Sequence, residues 1–326
     1  MQDKLRGMLV GLAVGDAIGA PVEFGYSSTV IREEIPKLAH YHKNFAMPKG
    51  VWTDDTSMAL CLADSLLEKK GYDSYDIMDK FAAWEFSGYR SYFPMGYGVG
   101  VHTDESISAY TEDPIIHKNS PEAESIANGC IMRLAPIIMA NTKNSLENIL
   151  ELAKLSCRET HNSTGSMAVT ELLAASLYLI LNNTPKEDLL KKSLEQIKDK
   201  KLRDFLNETS DLHMRINDKK GTSLRDLGGY AVDCYDIAMW GLLNFDTFRY
   251  GLLGVISLGG DTDTNGAVYG QLAGAYYGYK NIPEEWRNDI YLADELVKIS
   301  DKLTKLGKTP ILKTRFEDDQ HFKRKD

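Results

Sequence analysis

Two runs of glycine, each stepping by four residues, constrain the fold more than any other feature. Gly7, Gly11, Gly15 and Gly19 form one, and Gly266, Gly270, Gly274 and Gly278 the other. Both lie in apolar stretches, "GMLVGLAVGDAIG" and "GAVYGQLAGAYYG". A glycine inside a helix costs about 1 kcal/mol relative to alanine, so eight of them need a compensating gain. A four-residue step puts each run on one helix face, where missing side chains let another backbone approach closely. The expected arrangement is two helices packed together at the centre of one domain. That packing would bring Glu23, just past the first run, close to Asp261 and Asp263, just before the second.

The rest of the chain is helical in pattern too. "SMALCLADSLLEKKG", "YDIMDKFAAWEF", "SLENILELAKLS", "AVTELLAASLYLILNN" and "PKEDLLKKSLEQIKD" carry apolar residues at three- and four-residue steps. Period-2 strands are absent, and "ILKTRF" is too short to count. The expected fold is all-α: one compact domain over residues 1–310, an orthogonal helical bundle with long loops around 25–50, 91–125 and 207–228. Residues 311–326, ending in "KTRFEDDQHFKRKD", read as a frayed, charged tail.

With 26% charged residues and a net charge of −9, acids and bases interspersed, nucleic-acid binding by phosphate neutralisation is not expected. The four cysteines, Cys61, Cys130, Cys157 and Cys234, contain no CxxC pair and read as buried free thiols of a reducing cytoplasm. The apolar N-terminal stretch is broken by Asp16 and lacks a small-residue cleavage site, and no uninterrupted apolar run reaches ~20 residues. A membrane is therefore not expected as a partner.

Two acidic clusters stand out, "VWTDDTSMAL" and "LGGDTDTNGAVYG". The "DTDTNG" of the latter opens in the manner of a calcium loop, with oxygen donors at positions 1, 3 and 5 and glycine at 6. Position 12, which must be a bidentate Glu, is Leu272, and the calcium-loop reading fails. Each cluster alone reads as helix capping, with Thr or Asp satisfying free amide groups and suiting the helix dipole. Together they supply four carboxylates, strongly repulsive around one point unless a cation is present. All-oxygen shells of this kind suit one or two hard divalent ions.

These motifs, with "GLAVGDAIGAPVEF", "ANGCIMRLAPI" and "RETH" in this order, resemble the ADP-ribosylglycohydrolase family from Lys4 to about Trp286. The resemblance implies a compact all-α domain with a central cleft holding a binuclear Mg²⁺ or Mn²⁺ centre. It makes Thr53, Asp54 and Asp55 metal ligands from one side and Asp261, Asp263 and Thr264 from the other. Glu23 becomes the catalytic glutamate. Ser125, Asn128 and Gly129 become the loop that holds the ADP-ribose phosphates, and His161 lines the same pocket. The implied partner is an ADP-ribosylated protein or an ADP-ribose conjugate, and the expected state is a monomer.

The loop "GYGVGV" departs from part of the family. Members that act on arginine resemble one another in a D-x-G pattern there, whereas this chain has Gly98-Val99-Gly100. That form is more similar to members acting on serine-linked ADP-ribose, its polymer or O-acetyl-ADP-ribose. The same oxygens would also serve a binuclear phosphohydrolase that cleaves a nucleotide pyrophosphate, and a non-catalytic relative could keep the fold. Outside the motifs, Arg133 reads as half of a structural ion pair, and Trp52 and the tyrosines of "AYYGY" as core.

Overall fold

The computed structural model describes residues 1–24, 47–117, 125–209 and 229–317. Helix α1 spans Gln2–Gly19. It is followed by α2 (Asp54–Lys69), α3 (Ser74–Ser87), α4 (Val101–Glu112) and α5 (Ala135–Ala140). Next come α6 (Leu146–Arg158), α7 (Thr164–Leu181), α8 (Lys186–Gln196) and α9 (Lys200–Thr209). The last five are α10 (Ala231–Asn244), α11 (Phe248–Ile256), α12 (Thr262–Tyr277), α13 (Glu284–Asp289) and α14 (Ala293–Leu306). Among the described residues the only sheet is a two-stranded parallel ribbon of β1 (Tyr72–Asp73) and β2 (Ile311–Lys313). The fold is all-α.

The glycine runs meet. Helices α1 and α12 lie antiparallel, with Gly7 against Gly274, Gly11 against Gly270 and Gly15 against Gly266. At each of these a Cβ would collide with the carbonyl of the facing glycine, while one at Gly19 would strike the Thr262 carbonyl. Gly278 is the exception: it lies just past α12 at φ +86°, against the Asp3 side chain, so it serves a turn and not the interface. Both helices are buried almost all round, with α10, α11 and α14 packed beside them. Two helical stretches, Gln2–Val22 and Thr164–Leu181, are long and apolar enough to cross a membrane. Here most of each is buried within the protein.

Three expectations need correction. First, α4 occupies much of the segment read as a loop over 91–125; its apolar positions are sparse, with only Thr103 and Ile107 buried, so periodicity gave little sign of it. Residues 25–46, 118–124 and 210–228 of the expected loops lie outside the described residues. Second, residues 311–317 are docked. Arg315 Nε sits 2.6 Å from Glu159 Oε2, both side chains being buried, and Phe316 is fully buried under Arg158. Glu159 also accepts from Tyr72 Oη at 2.7 Å. A carboxylate so enclosed requires its cation, which anchors this end of the chain. Third, Arg133 makes no carboxylate ion pair among the described residues; its partners are carbonyl and hydroxyl oxygens and the Met58 sulfur. The four cysteines are free and buried, and Trp52 is core, as expected.

Candidate metal centre and substrate cleft

The close approach of α1 and α12 delivers the acids. Helix α1 ends in a 3₁₀ turn, Ala20–Val22, after which the Phe24 amide donates to Gly260 O at 2.8 Å. Gly259 and Gly260 both have left-handed φ, a turn that glycine makes without strain. That turn sets Asp261 at the start of α12 beside Glu23. Oxygens of Glu23, Asp261 and Asp263 lie within 4.8 Å of one another.

The other acidic cluster faces this one from the start of α2. Thr53 occupies the N-cap position, but its side chain makes no capping bond. The capping is done by Asp16, from α1. Asp16 Oδ1 accepts from Thr53 N at 2.9 Å and Oγ1 at 2.8 Å, and Oδ2 accepts from Thr56 N at 3.0 Å and Oγ1 at 2.7 Å. Because another helix satisfies these donors, Asp54 and Asp55 are spared from capping. Asp55 Oδ1 is buried without a hydrogen-bond partner. Sequence reasoning gave Asp16 no role. The signal was there: an acid in the middle of an apolar helix must be buried with donors around it.

Burial, then the charges of Asp16 and the facing acids, hold the Asp54 and Asp55 carboxyls well above the ordinary range. Burial, then Glu23 and Asp261, do the same to Asp263. Glu23 is pushed to about 7, by burial first and the Asp261 charge second. Among the described residues no lysine or arginine forms an ion pair with these acids. Crowded, buried carboxylates with an orphaned oxygen and no cationic side chain fit a hard divalent cation.

The other candidate residues distribute around this cluster. Thr264 begins α12 in the same buried group, its amide donating to Asp263 Oδ1 at 2.9 Å. Gly98, at φ +86°, lies over the cluster: a Cβ there would be 2.5 Å from Asp54 Oδ1. Val99 is partly exposed, and Gly100 has open space around its Cα, so these two sit at the rim. Asn128 and Gly129 form a buried 3₁₀ turn, and Asn128 Nδ2 donates to Asp261 Oδ2 at 2.8 Å. The candidate phosphate turn and the acid cluster are thus physically joined, which spacing could not reveal. His161 is buried behind that turn: a Cβ on Gly129 would lie 2.7 Å from its Cε1. Ser125 is half-buried, and among the described residues no hydrogen bond ties its side chain to the cluster. Tyr97 was missed; burial, then the charges of Glu23, Asp263 and Asp54, push its hydroxyl pKa up, which places it beside the acids.

The all-α fold thus sets buried acids beside a pair of glycine-faced helices. The family model for ADP-ribosylglycohydrolase matches residues 1–311, and the chain belongs to that enzyme family. The ADP-ribosylarginine hydrolase Tri1 of Pseudomonas putida is 29% identical, over 92% of this chain and 78% of that one. The ADP-ribosyl-(dinitrogen reductase) glycohydrolase of Rhodospirillum rubrum is 30% identical, over 88% and 90%. The ADP-ribosylhydrolase ARH3 of Homo sapiens is 27% identical, over 87% and 88%. A solved structure of an ADP-ribosylglycohydrolase-related protein complex superposes with a TM-score of 0.75 at 33% identity, covering 94% of this chain and 99% of that one.

Proposed function

We propose that the protein is a divalent-cation-dependent hydrolase that removes ADP-ribose from a modified side chain or conjugate by substitution at the anomeric ribose carbon. One observation carries this reading. Glu23, Asp261 and Asp263, brought together from far apart in the chain, form no ion pair with a cationic side chain among the described residues, and Asn128 ties Asp261 to a turn suited to phosphates. In this reading Thr53, Asp54, Asp55, Asp261, Asp263 and Thr264 hold two cations, Mg²⁺ or Mn²⁺. Such ions, when bound, position vicinal ribose hydroxyls and lower the pKa of water.

The chain's own groups supply the rest. Glu23 takes a proton from the attacking water or faces the positive charge that develops on the ribose. A carboxyl poised near neutral pH can take and return a proton at little cost. The Asn128–Gly129 turn, with Ser125, and the amides of Gly98, Val99 and Gly100 receive the pyrophosphate and ribose, and His161 backs the turn. The Tri1 relatives make arginine-linked ADP-ribose the first acceptor to test. A specific observation favours an O-linked acceptor as the alternative: Gly98 lies so close to Asp54 that a D-x-G aspartate there would clash and repel it.

The deciding experiment is mass-spectrometric product analysis on matched arginine- and serine-ADP-ribosylated peptides with Mg²⁺, Mn²⁺ or EDTA. Free ADP-ribose from one peptide, lost in EDTA, is expected. AMP as product would replace this reading with a phosphohydrolase, and no product from either peptide would reject both side-chain linkages.

Stability gives an independent check. A carboxyl whose folded pKa is raised favours the folded state when protonated, so its contribution is lost as pH rises through the folded value. With Glu23 at about 7, EDTA-treated protein should lose thermal stability as pH rises through about 7. Added Mg²⁺ should raise Tm most on the alkaline side, where protons no longer compete for the same oxygens. An equal Mg²⁺ effect at about pH 5 and about pH 8 would contradict cation binding at this cluster.

A further inference from the structure

Arg133 is fully buried, and the one carboxylate whose charge acts on it among the described residues, Glu159, is committed to Arg315. Its guanidinium joins two segments that are distant in sequence. Nη1 donates to Gly129 O at 3.0 Å, and Nη2 donates to Ser156 O at 3.3 Å and Thr160 Oγ1 at 2.5 Å. Its flat face lies 4.7 Å from the centre of the Phe81 ring, which fixes its plane. Thr160 Oγ1 lies in turn 2.7 Å from His161 Nδ1.

The hydrogens in this chain can be assigned from chemistry. A guanidinium only donates, so the Thr160 oxygen accepts from Arg133. The threonine has one hydrogen to give, and His161 Nδ1 is the acceptor within reach. Were Nδ1 protonated, the Thr160 hydroxyl would receive two donors and its own hydrogen would be left buried and unpaired, which is unfavourable. The ring proton therefore belongs on Nε2, on the edge that faces Gly129: a Cβ on that glycine would lie 3.0 Å from Nε2. Burial, then the Arg133 charge, hold His161 well below its ordinary pKa, consistent with one ring proton.

We propose that Arg133 is a positioning residue for the ADP-ribose pocket: it holds the Asn128–Gly129 and Thr160–His161 turns in one register and, through Thr160, fixes His161 as the Nε2–H tautomer, aimed at a phosphate oxygen held by the first turn. This rests on the pocket assignment under Proposed function. It makes His161 a neutral donor whose direction is set from behind by a charge that never touches the ligand.

The test is ¹⁵N NMR of the imidazoles in the ligand-free, full-length protein, with His161→Gln assigning the resonance, and calorimetry with ADP-ribose as the probe. Wild type should show Nε2–H at His161. Thr160→Val, which keeps the shape and removes the hydroxyl, should lose the single tautomer and weaken ADP-ribose on the order of tenfold. Thr160→Ser should restore both, which a purely packing role would not require. Arg133→Gln should release the tautomer as well; if that variant does not fold, the Thr160 pair still decides. An Nδ1–H tautomer in wild type, or an unchanged tautomer and affinity in Thr160→Val, would overturn the proposal. Wild type that fails to bind ADP-ribose would overturn the pocket assignment and the phosphate role with it, while the NMR result would still report on the Arg133–Thr160 link.

Discussion

Asp261→Asn is expected to lower kcat/KM for ADP-ribose release on the order of a thousandfold, a loss of about 4 kcal/mol of transition-state stabilisation, while leaving the fold intact. The substitution is isosteric, and the new amide oxygen can still accept from Asn128 Nδ2. What disappears is one negative charge at the meeting point of both clusters, close to Glu23 and Asp263. In EDTA the variant should be no less stable than wild type, because mutual repulsion falls. The Tm increase caused by Mg²⁺ should largely vanish. Two measurements, steady-state kinetics and thermal scans with and without Mg²⁺, separate loss of the centre from loss of the fold. Activity within a few-fold of wild type would sink the assignment of Asp261 to the centre.

Gly11→Ala sets two magnitudes against each other. Helix propensity alone predicts a gain of about 1 kcal/mol. The added methyl, however, would overlap the Gly270 carbonyl and lie near the Gly274 Cα at 3.2 Å, both of them backbone that cannot rotate away. Overpacking a rigid interface costs about 1–3 kcal/mol and sometimes more, and here two central helices must separate to absorb it. The net expectation is destabilisation approaching about 2 kcal/mol in urea titrations, with a loss of activity larger than the stability loss explains. Separating α1 from α12 moves Glu23 away from Asp261. A more stable variant would show that the two backbones are not held in contact by the glycine faces.

Those faces were the most legible part of the chain, because a four-residue glycine step has one economical structural reason, and its register predicted the meeting of Glu23 with Asp261 and Asp263. The long amphipathic helices were legible for the same periodic cause. Asp16 was legible only in part: an acid in an apolar helix implies donors around it, but these belong to a helix that begins 38 residues later, and no local pattern names that helix. The same holds for Asn128, whose bond to Asp261 crosses 133 positions. Helix α4 buries too few side chains to leave a periodic trace. The docking of 311–317 depends on Glu159, so the segment's own charged composition pointed the wrong way. Arg133 read as half of an ion pair because a buried arginine usually has an acid beside it; here backbone carbonyls and an aromatic face take that place.

The pairing of α1 with α12 also sets a timetable for the protein's birth. Gly19 and Asp261 are about 240 residues apart, and at roughly 5–20 residues per second a ribosome needs on the order of 10–50 s to cover that distance. Throughout that interval α1, apolar on nearly every face, waits without the surface it was shaped to meet. A translation product ending before α12 therefore lacks both the surface that covers α1 and Asp261 and Asp263, and cannot bring these acids to Glu23.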